Sequence, residues 1–149
     1  MALIGRIIVI FIAVVVASIA CGIALSVALL WPGYGFGFTG DYVERSGFLV
    51  LVVFATSFTG AVMFLPLLIF VVVAESLRWR SLLLHLCAGA AMLVAGYFGS
   101  GFYNRYEESI DRPPPPIPHE VEIAAAGGAV FGLVYWLLAG RNAGRWRGR

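Results

Sequence analysis

The stretch IIVIFIAVVVASIACGIALSVALLW, residues 7–31, contains no charged side chain. A transmembrane helix needs about 20 consecutive apolar residues to cross the hydrocarbon core of a bilayer. Lipid offers no hydrogen-bonding partner to the backbone, so a crossing segment is expected to be a helix, which pairs its own backbone groups. The apolar run also continues well beyond Cys21, past the roughly 7–15 residues of a signal-peptide core. Residues 7–31 therefore predict a retained membrane-spanning helix.

Three further apolar runs follow, 47–74, 81–103 and 122–140, and they contain only Glu122 and His85 among acidic, basic and histidine residues. Each is close to or longer than the ~18 residues typical of a membrane span. The whole chain is 61% hydrophobic and 12% charged, whereas soluble domains average about 45–50% apolar and about 25% charged residues. These features predict an all-α polytopic membrane protein. Residues 1–149 would form a single membrane domain, a compact bundle of four transmembrane helices.

The arginines predict the orientation of this bundle. Seven of the ten lie at the N-terminus, in the connecting loop 75–80 and in the tail 141–149. The other three lie in loops 32–46 and 104–121. The positive-inside rule places the arginine-rich side in the cytoplasm. We therefore expect a multi-pass protein of the bacterial inner (cytoplasmic) membrane, with both termini cytoplasmic and loops 32–46 and 104–121 outside.

The tripeptide Arg-Trp-Arg occurs twice, at 78–80 and at 145–147, each time after an apolar run. Gly33-Tyr34 after the first run likewise matches Gly96-Tyr97 near the end of the third. This periodicity predicts two tandem helical hairpins of the same orientation, related by an internal duplication. Since Trp and Arg favour membrane boundaries for separate reasons, an independent origin of the two tripeptides is the alternative.

Small residues spaced four apart are present in every predicted span. They matter because lipid tails are as apolar as leucine, so helices in a membrane associate by close backbone approach rather than by hydrophobic exclusion. We expect these positions to pack against neighbouring helices, of this chain or of another. The candidate helix-packing residues are Ser18, Gly22, Ser26, Thr56, Gly60, Gly96, Ser100, Ala124, Gly128 and Gly132.

Aromatic residues crowd the predicted outer surface, and the second outer loop contains four consecutive prolines. An interfacial aromatic belt and a stiff polyproline spacer are one explanation. A contact surface for a pigment, a quinone, a lipid or a partner protein is the other. The candidate outer-face residues are Tyr34, Phe36, Phe38, Tyr42, Tyr97, Phe102, Tyr106, Pro113, Pro114, Pro115 and Pro116.

The predicted cytoplasmic surface is basic. Each arginine near an anionic leaflet gains about 1 kcal/mol of attraction, so membrane lipid explains this surface better than nucleic acid does. We expect contact with anionic lipid and no binding of nucleic acid. The candidate residues are Arg78, Arg80, Arg141, Arg145, Arg147 and Arg149.

Few side chains suggest reactive chemistry. His85 is the one ionisable residue in 81–103, and a structural hydrogen bond explains a lone imidazole better than catalysis does. His119, Glu120 and Glu122 match no strong metal-binding motif, and acids at a helix start complement the helix dipole. The sequence contains no phosphate-binding glycine loop, no nucleophile elbow and no H-E-x-x-H motif. We expect no catalytic residue, no metal and no cofactor.

The function predicted from these features is that of a non-catalytic integral membrane accessory or structural subunit, which packs into a larger membrane complex with other membrane-protein subunits. The alternative is a small homo-oligomeric channel or carrier for a neutral or apolar solute, with Pro66 and the hydroxyls of Thr56, Ser57 and Thr59 along its path. A membrane enzyme using His85 or the His119 group is a third interpretation.

Overall fold

The computed structural model describes residues 2–34, 42–100 and 119–144. Four α-helices follow one another: α1 over Ala2–Tyr34, α2 over Tyr42–Leu77, α3 over Leu82–Gly99 and α4 over His119–Leu138. A 3-10 turn over Gly140–Asn142 follows α4. These three ranges contain no β-strand, which confirms the all-helical class predicted from the sequence.

Among the described residues, three helical segments are long and apolar enough to cross a membrane: Ile4–Leu29, Leu82–Gly99 and His119–Leu138. The apolar stretches Ser46–Phe58 and Phe64–Leu77 of α2 both overlap one uncharged run of the sequence, 47–74. The helix α2 continues through Pro66 without an interruption of helical structure. The helical membrane-protein character is thus supported, while the number of four spans and the hairpin duplication stay predictions.

Consecutive helices run antiparallel, and α1 and α4 form the centre of the arrangement. The helix α1 lies against α2 and α4, and α4 lies against α1 and α3. Contact between α2 and α3 is the least extensive of these adjoining pairs. Arg6 at the start of α1 bonds to Glu75 near the end of α2 and to the Ala139 carbonyl after α4. We call this end, where Arg6, Arg78, Arg80 and Arg141 lie, the basic end.

The helices α3 and α4 approach each other closely through their backbones. The backbone of Gly128 lies against that of Gly89, and the backbone of Gly132 lies against that of His85. A Cβ atom built on Gly128 would be 2.7 Å from the carbonyl carbon of Gly89, a distance that real Cβ contacts do not show. Glycine is therefore needed there because a methyl group would push the two backbones apart.

The helix α1 meets α4 through alanine and cysteine and meets α2 through a glycine. Ala13, Ala17 and Cys21 are fully buried in the core that they share with α4. On the α2 side, Gly22 lies against Thr56, and a Cβ atom on Gly22 would be 3.0 Å from the Thr56 backbone nitrogen. Two of the predicted packing residues, Gly22 and Thr56, are therefore in direct contact.

The remaining predicted packing residues fall into two groups. Ser18, Ser26 and Ala124 are buried inside the bundle, and Gly96 is half-buried. Gly60 and Ser100 are not packed against another helix of the described ranges, so for them contact with another chain stays a prediction. A Cβ atom on Gly60 would meet nothing within 4 Å, and Ser100 is exposed, with its hydroxyl donating to the Tyr97 carbonyl at 2.7 Å.

The helix α2 ends in a Schellman motif, which closes the last turn of a helix with a residue in the left-handed conformation. Arg78 has a φ angle of 56°, and the Trp79 amide donates to the Ala74 carbonyl at 2.9 Å. Glycine is the usual residue at this position. The arginine therefore adopts a backbone conformation that L side chains disfavour, and it turns the chain towards α3 at the basic end.

The contacts of Gly128 with Gly89 and of Gly132 with His85, which we call the glycine seam, give a direct test of the packing. We expect Gly128→Ala to lower the free energy of unfolding by about 1–3 kcal/mol, the usual range for overpacking a close contact. Gly60→Ala makes the same chemical change at an open position, so it should leave stability unchanged or raise it by up to about 1 kcal/mol through helix propensity. Reversible unfolding in mixed detergent micelles measures both. Equal destabilisation by the two variants would contradict the seam.

Candidate functional site

An ion pair holds the basic end together. The Arg6 guanidinium donates from Nε to Glu75 Oε1 at 2.8 Å, and a second nitrogen of the same group contacts the same carboxylate oxygen. Only 11% and 12% of the two side chains are exposed. That second nitrogen also donates to the Ala139 carbonyl at 2.8 Å, and the Gly144 amide donates to Glu75 Oε2 at 2.7 Å. One pair of charges therefore connects α1, α2 and the segment after α4.

Two further hydrogen bonds attach the turn between α2 and α3 to α4 and to the segment after it. Arg80 donates from Nε to the Ala143 carbonyl at 3.0 Å. The indole of Trp136 donates to the Arg80 carbonyl at 2.7 Å. Carbonyl groups at a helix C-terminus have no partner within their own helix. Arg6 and Arg80 therefore donate hydrogen bonds to two carbonyls just after α4, those of Ala139 and Ala143. The basic end is thereby closed by hydrogen bonds to charged side chains.

The imidazole of His85 is buried within this end, with 1% of the residue exposed. Its ring lies edge-on to Phe70 of α2 at 5.3 Å and stacks near Tyr135 of α4 at 5.9 Å between centroids. Nδ1 lies 2.8 Å from the Ser81 carbonyl, which can only accept, so Nδ1 carries the hydrogen. The buried Nε2 faces Gly140. This geometry favours the structural interpretation of His85 over the catalytic one.

The described surface of the basic end is rich in arginine. Arg78, Arg80 and Arg141 are exposed. Glu75 is the one acidic residue in the part of this end that the structure describes, and it is bound to Arg6. The predicted lipid-contact residues Arg145, Arg147 and Arg149 lie outside the described residues, as does the second Arg-Trp-Arg tripeptide. The three exposed arginines therefore give the described part of this end a cationic surface, and its one carboxylate is bound by Arg6 and by the Gly144 amide.

A lateral groove separates α1 from α2 between their two contacts, the Gly22–Thr56 contact and the Arg6–Glu75 ion pair. Its volume is about 790 Å³. Branched aliphatic and phenylalanine side chains form its walls, among them Phe11, Val15 and Phe64. Ser18 and Thr56 lie at its deep end, and Arg6, Glu75 and Ser76 line it at the basic end. The groove is thus apolar along its length and polar at both ends.

A smaller cleft of about 370 Å³ lies between α2 and α3, lined by Pro66 on one helix and by Ala91, Met92, Ala95 and Gly96 on the other. Beside it, α3 presents four small residues at intervals of four: Cys87, Ala91, Ala95 and Gly99, all exposed. We call this row the α3 stripe. It has the spacing at which transmembrane helices pack closely, and no helix in the described ranges covers it.

The predicted outer-face residues are placed only in part. Tyr34 ends α1 and Tyr42 begins α2, whereas Tyr97 is half-buried against the core, with its ring 5.5 Å from Phe98. The others fall outside the described ranges: Phe36, Phe38, Phe102, Tyr106, Pro113, Pro114, Pro115 and Pro116. The outer contact surface that these residues were expected to form therefore stays a prediction.

The residues considered for metal binding lie at the start of α4. His119 Nδ1 is 3.2 Å from Glu122 Oε2, and both side chains are largely exposed. Among residues 2–34, 42–100 and 119–144, no group of three or more potential ligands comes together. An exposed pair on one helical turn is explained by the i, i+3 spacing and by acids near a helix N-terminus.

Comparison with protein-family models, with curated proteins and with solved structures gives no match to this chain. The interpretation of the site therefore depends on its own geometry.

The ion pair yields a second prediction. Glu75→Leu leaves the buried Arg6 guanidinium without its carboxylate and the Gly144 amide without its acceptor, so we expect a loss of about 2–4 kcal/mol of unfolding free energy. Ser76→Leu, the adjacent exposed position, should change stability by no more than about 0.5 kcal/mol. Combining Glu75→Leu with Arg6→Leu should recover part of the loss, because no unpaired charge remains. The same micelle-based unfolding measurement applies, and equal midpoints for the two single variants would refute a stabilising pair.

Proposed function

We propose that this chain is a non-catalytic integral membrane subunit that binds a transmembrane helix of another subunit along the α3 stripe. In this proposal all four helices cross a bacterial inner membrane, and the basic end faces the cytoplasm. The observation that carries it is the exposed row Cys87, Ala91, Ala95 and Gly99 beside the cleft between α2 and α3.

The way in which this chain uses its other small residues supports the proposal. Gly22 of α1 has α2 against it, and Gly128 and Gly132 of α4 have α3 against them. In each of these contacts a helix lies on a row of small residues, as expected where dispersion contacts drive association in lipid. The α3 stripe has the same spacing, so a helix is the occupant that its shape fits.

The composition around the stripe points to an apolar helix as the partner. The lining of the adjacent cleft contains no charged side chain, and Met92 supplies a flexible, polarisable contact surface. Bringing an ionised group into such a place would carry a desolvation penalty without an opposite charge to offset it. A partner segment rich in small and aliphatic residues satisfies both the shape and the polarity.

Features at the basic end support the proposed orientation. The arginines of the turn 78–80 and the exposed Arg141 lie together, and so do the start of α1 and the end of α4. Basic residues of short loops favour the cytoplasmic side of the membrane.

A specific observation disfavours the channel alternative. The Thr56 hydroxyl oxygen is buried against Gly22, while Ser57 on the same helix is exposed on the outside of the bundle. Within the described helices the two hydroxyls therefore do not line one continuous polar path. This separation of the two hydroxyls supports the subunit interpretation over the channel.

Substitution on the stripe tests the proposal. We expect Ala91→Trp to separate the chain from its companion subunit, because the indole fills the space that a partner helix would occupy. Ala126→Trp introduces the same side chain at an exposed alanine of α4 and should leave the complex intact. The measurement is isolation of tagged protein at native expression in a mild detergent, followed by determination of particle mass and composition.

A complex of other subunits that Ala91→Trp dissolves and Ala126→Trp preserves would support the proposal. A particle containing only copies of this chain, or one that both variants leave intact, would contradict it. Cys87 at one end of the stripe is a free exposed cysteine, so a thiol crosslinker at this position gives a second readout of the same contact.

A further inference from the structure

We propose that the groove between α1 and α2 is a binding site for one anionic phospholipid. An acyl chain would lie along the apolar walls, and the phosphate would lie at the basic end beside Ser76 and Arg78. This inference goes beyond the proposed subunit function and does not depend on a partner helix. Pro66, which lines the α3 side of α2, is on the opposite side of that helix from the groove by helical spacing.

The dimensions of the groove fit a single lipid chain. Its volume of about 790 Å³ lies within the roughly 300–1,000 Å³ of sites that hold small molecules. Along α1 its wall extends from Ile7 to Ile19, which at 1.5 Å per residue is a rise of about 18 Å. One leaflet of hydrocarbon is about 15 Å deep. A chain anchored at the basic end therefore fills the groove along its length.

The side chains of the walls favour a flexible hydrocarbon chain over a helix. A helix approaches closely where the opposing surface is made of small residues. Here Phe11, Val15 and Phe64 project from the two walls, and Leu68 is 50% exposed. Bulky, irregular walls leave gaps against a rigid helix, whereas an acyl chain with many rotatable bonds can follow them. The groove and the α3 stripe thus suit different occupants.

The charges near the mouth of the groove favour a negative headgroup. Glu75 lines the mouth, but its two carboxylate oxygens are bound by Arg6 and by the Gly144 amide. Arg78 does not line the groove itself, but its exposed side chain lies against Gly144, whose amide binds Glu75 at the mouth. A phosphate there would find a guanidinium and a hydroxyl without an uncompensated carboxylate beside them. Guanidinium groups bind phosphate through short, charge-assisted hydrogen bonds.

The deep end of the groove limits how far the chain can extend. Gly22 and Thr56 close the space between α1 and α2 there, so the site is blind at that end and open to the membrane at its side. A ligand enters laterally from the leaflet that carries its headgroup at the basic end. This geometry favours a lipid over a solute that would have to reach the site from water.

Native mass spectrometry of the full chain tests the proposal with phosphatidylglycerol and phosphatidylcholine of identical acyl chains. We expect one phosphatidylglycerol to be retained with about tenfold preference over phosphatidylcholine, equivalent to ~1.4 kcal/mol. Val15→Trp should lower that retention about tenfold by filling the groove. Val16→Trp is the matched control. Val15 and Val16 are both 42% exposed on α1, but the second does not line the groove.

Two more variants complete the test. Leu68→Trp fills the groove from the α2 wall and should lower phosphatidylglycerol retention as Val15→Trp does. Because the two substitutions are on different helices, the same loss in both would not be explained by misfolding of one variant. Arg78→Gln should remove the preference for phosphatidylglycerol while one lipid is still bound. Equal retention of the two lipids by the unaltered chain would overturn the anionic site. Equal retention by Val15→Trp, Leu68→Trp and Val16→Trp would overturn the groove as its location.

Discussion

The ion pair between Arg6 and Glu75 joins three parts of the fold at once. Unlike the glycine contacts, which each join two helices, it links α1 to α2 and also fixes the chain after α4 through Ala139 and Gly144. Apolar side chains cannot do this at a helix end, because the free carbonyls and amides there need polar partners. A charged pair with few exposed atoms supplies donors and acceptors together.

The helices use small and bulky residues for different purposes. Small residues form the contacts between backbones, as at Gly128 with Gly89 and at Gly22 with Thr56. Large aliphatic and aromatic residues cover the outer faces and the walls of the groove. In lipid, burial of a large apolar side chain gains little, since the tails are equally apolar, whereas backbone proximity gains dispersion contacts. The exposed small residues of the α3 stripe are therefore a better indicator of a helix-binding surface than the large exposed apolar side chains are.

Sequence patterns predicted the helical class and several packing contacts, but not how the helices are joined. Freedom from charge predicts helices in lipid regardless of partner, and small-residue spacing identified Gly22, Thr56, Gly128 and Gly132. The same spacing could not show that Gly60, unlike Gly22, has no neighbouring helix of the described ranges against it. Periodicity predicts which residues share a helix face, but not which helix packs on that face. The Arg6–Glu75 pair joins residues 69 positions apart, and neither its distance nor its register follows from composition.

The two helix pairs differ in a way that bears on the duplication hypothesis. Between α3 and α4, backbones touch at successive turns, Gly128 with Gly89 and Gly132 with His85. The pair α1 and α2 instead meets at Gly22 with Thr56 and again at the terminal ion pair, with a groove between. If one ancestral hairpin gave rise to both, glycines have made the second a continuous seam, while bulky residues keep the first open to lipid. The α3–α4 pair is thus packed along a seam, whereas the α1–α2 pair leaves a groove, and the helix and the lipid that we propose as occupants would bind on different surfaces of the bundle.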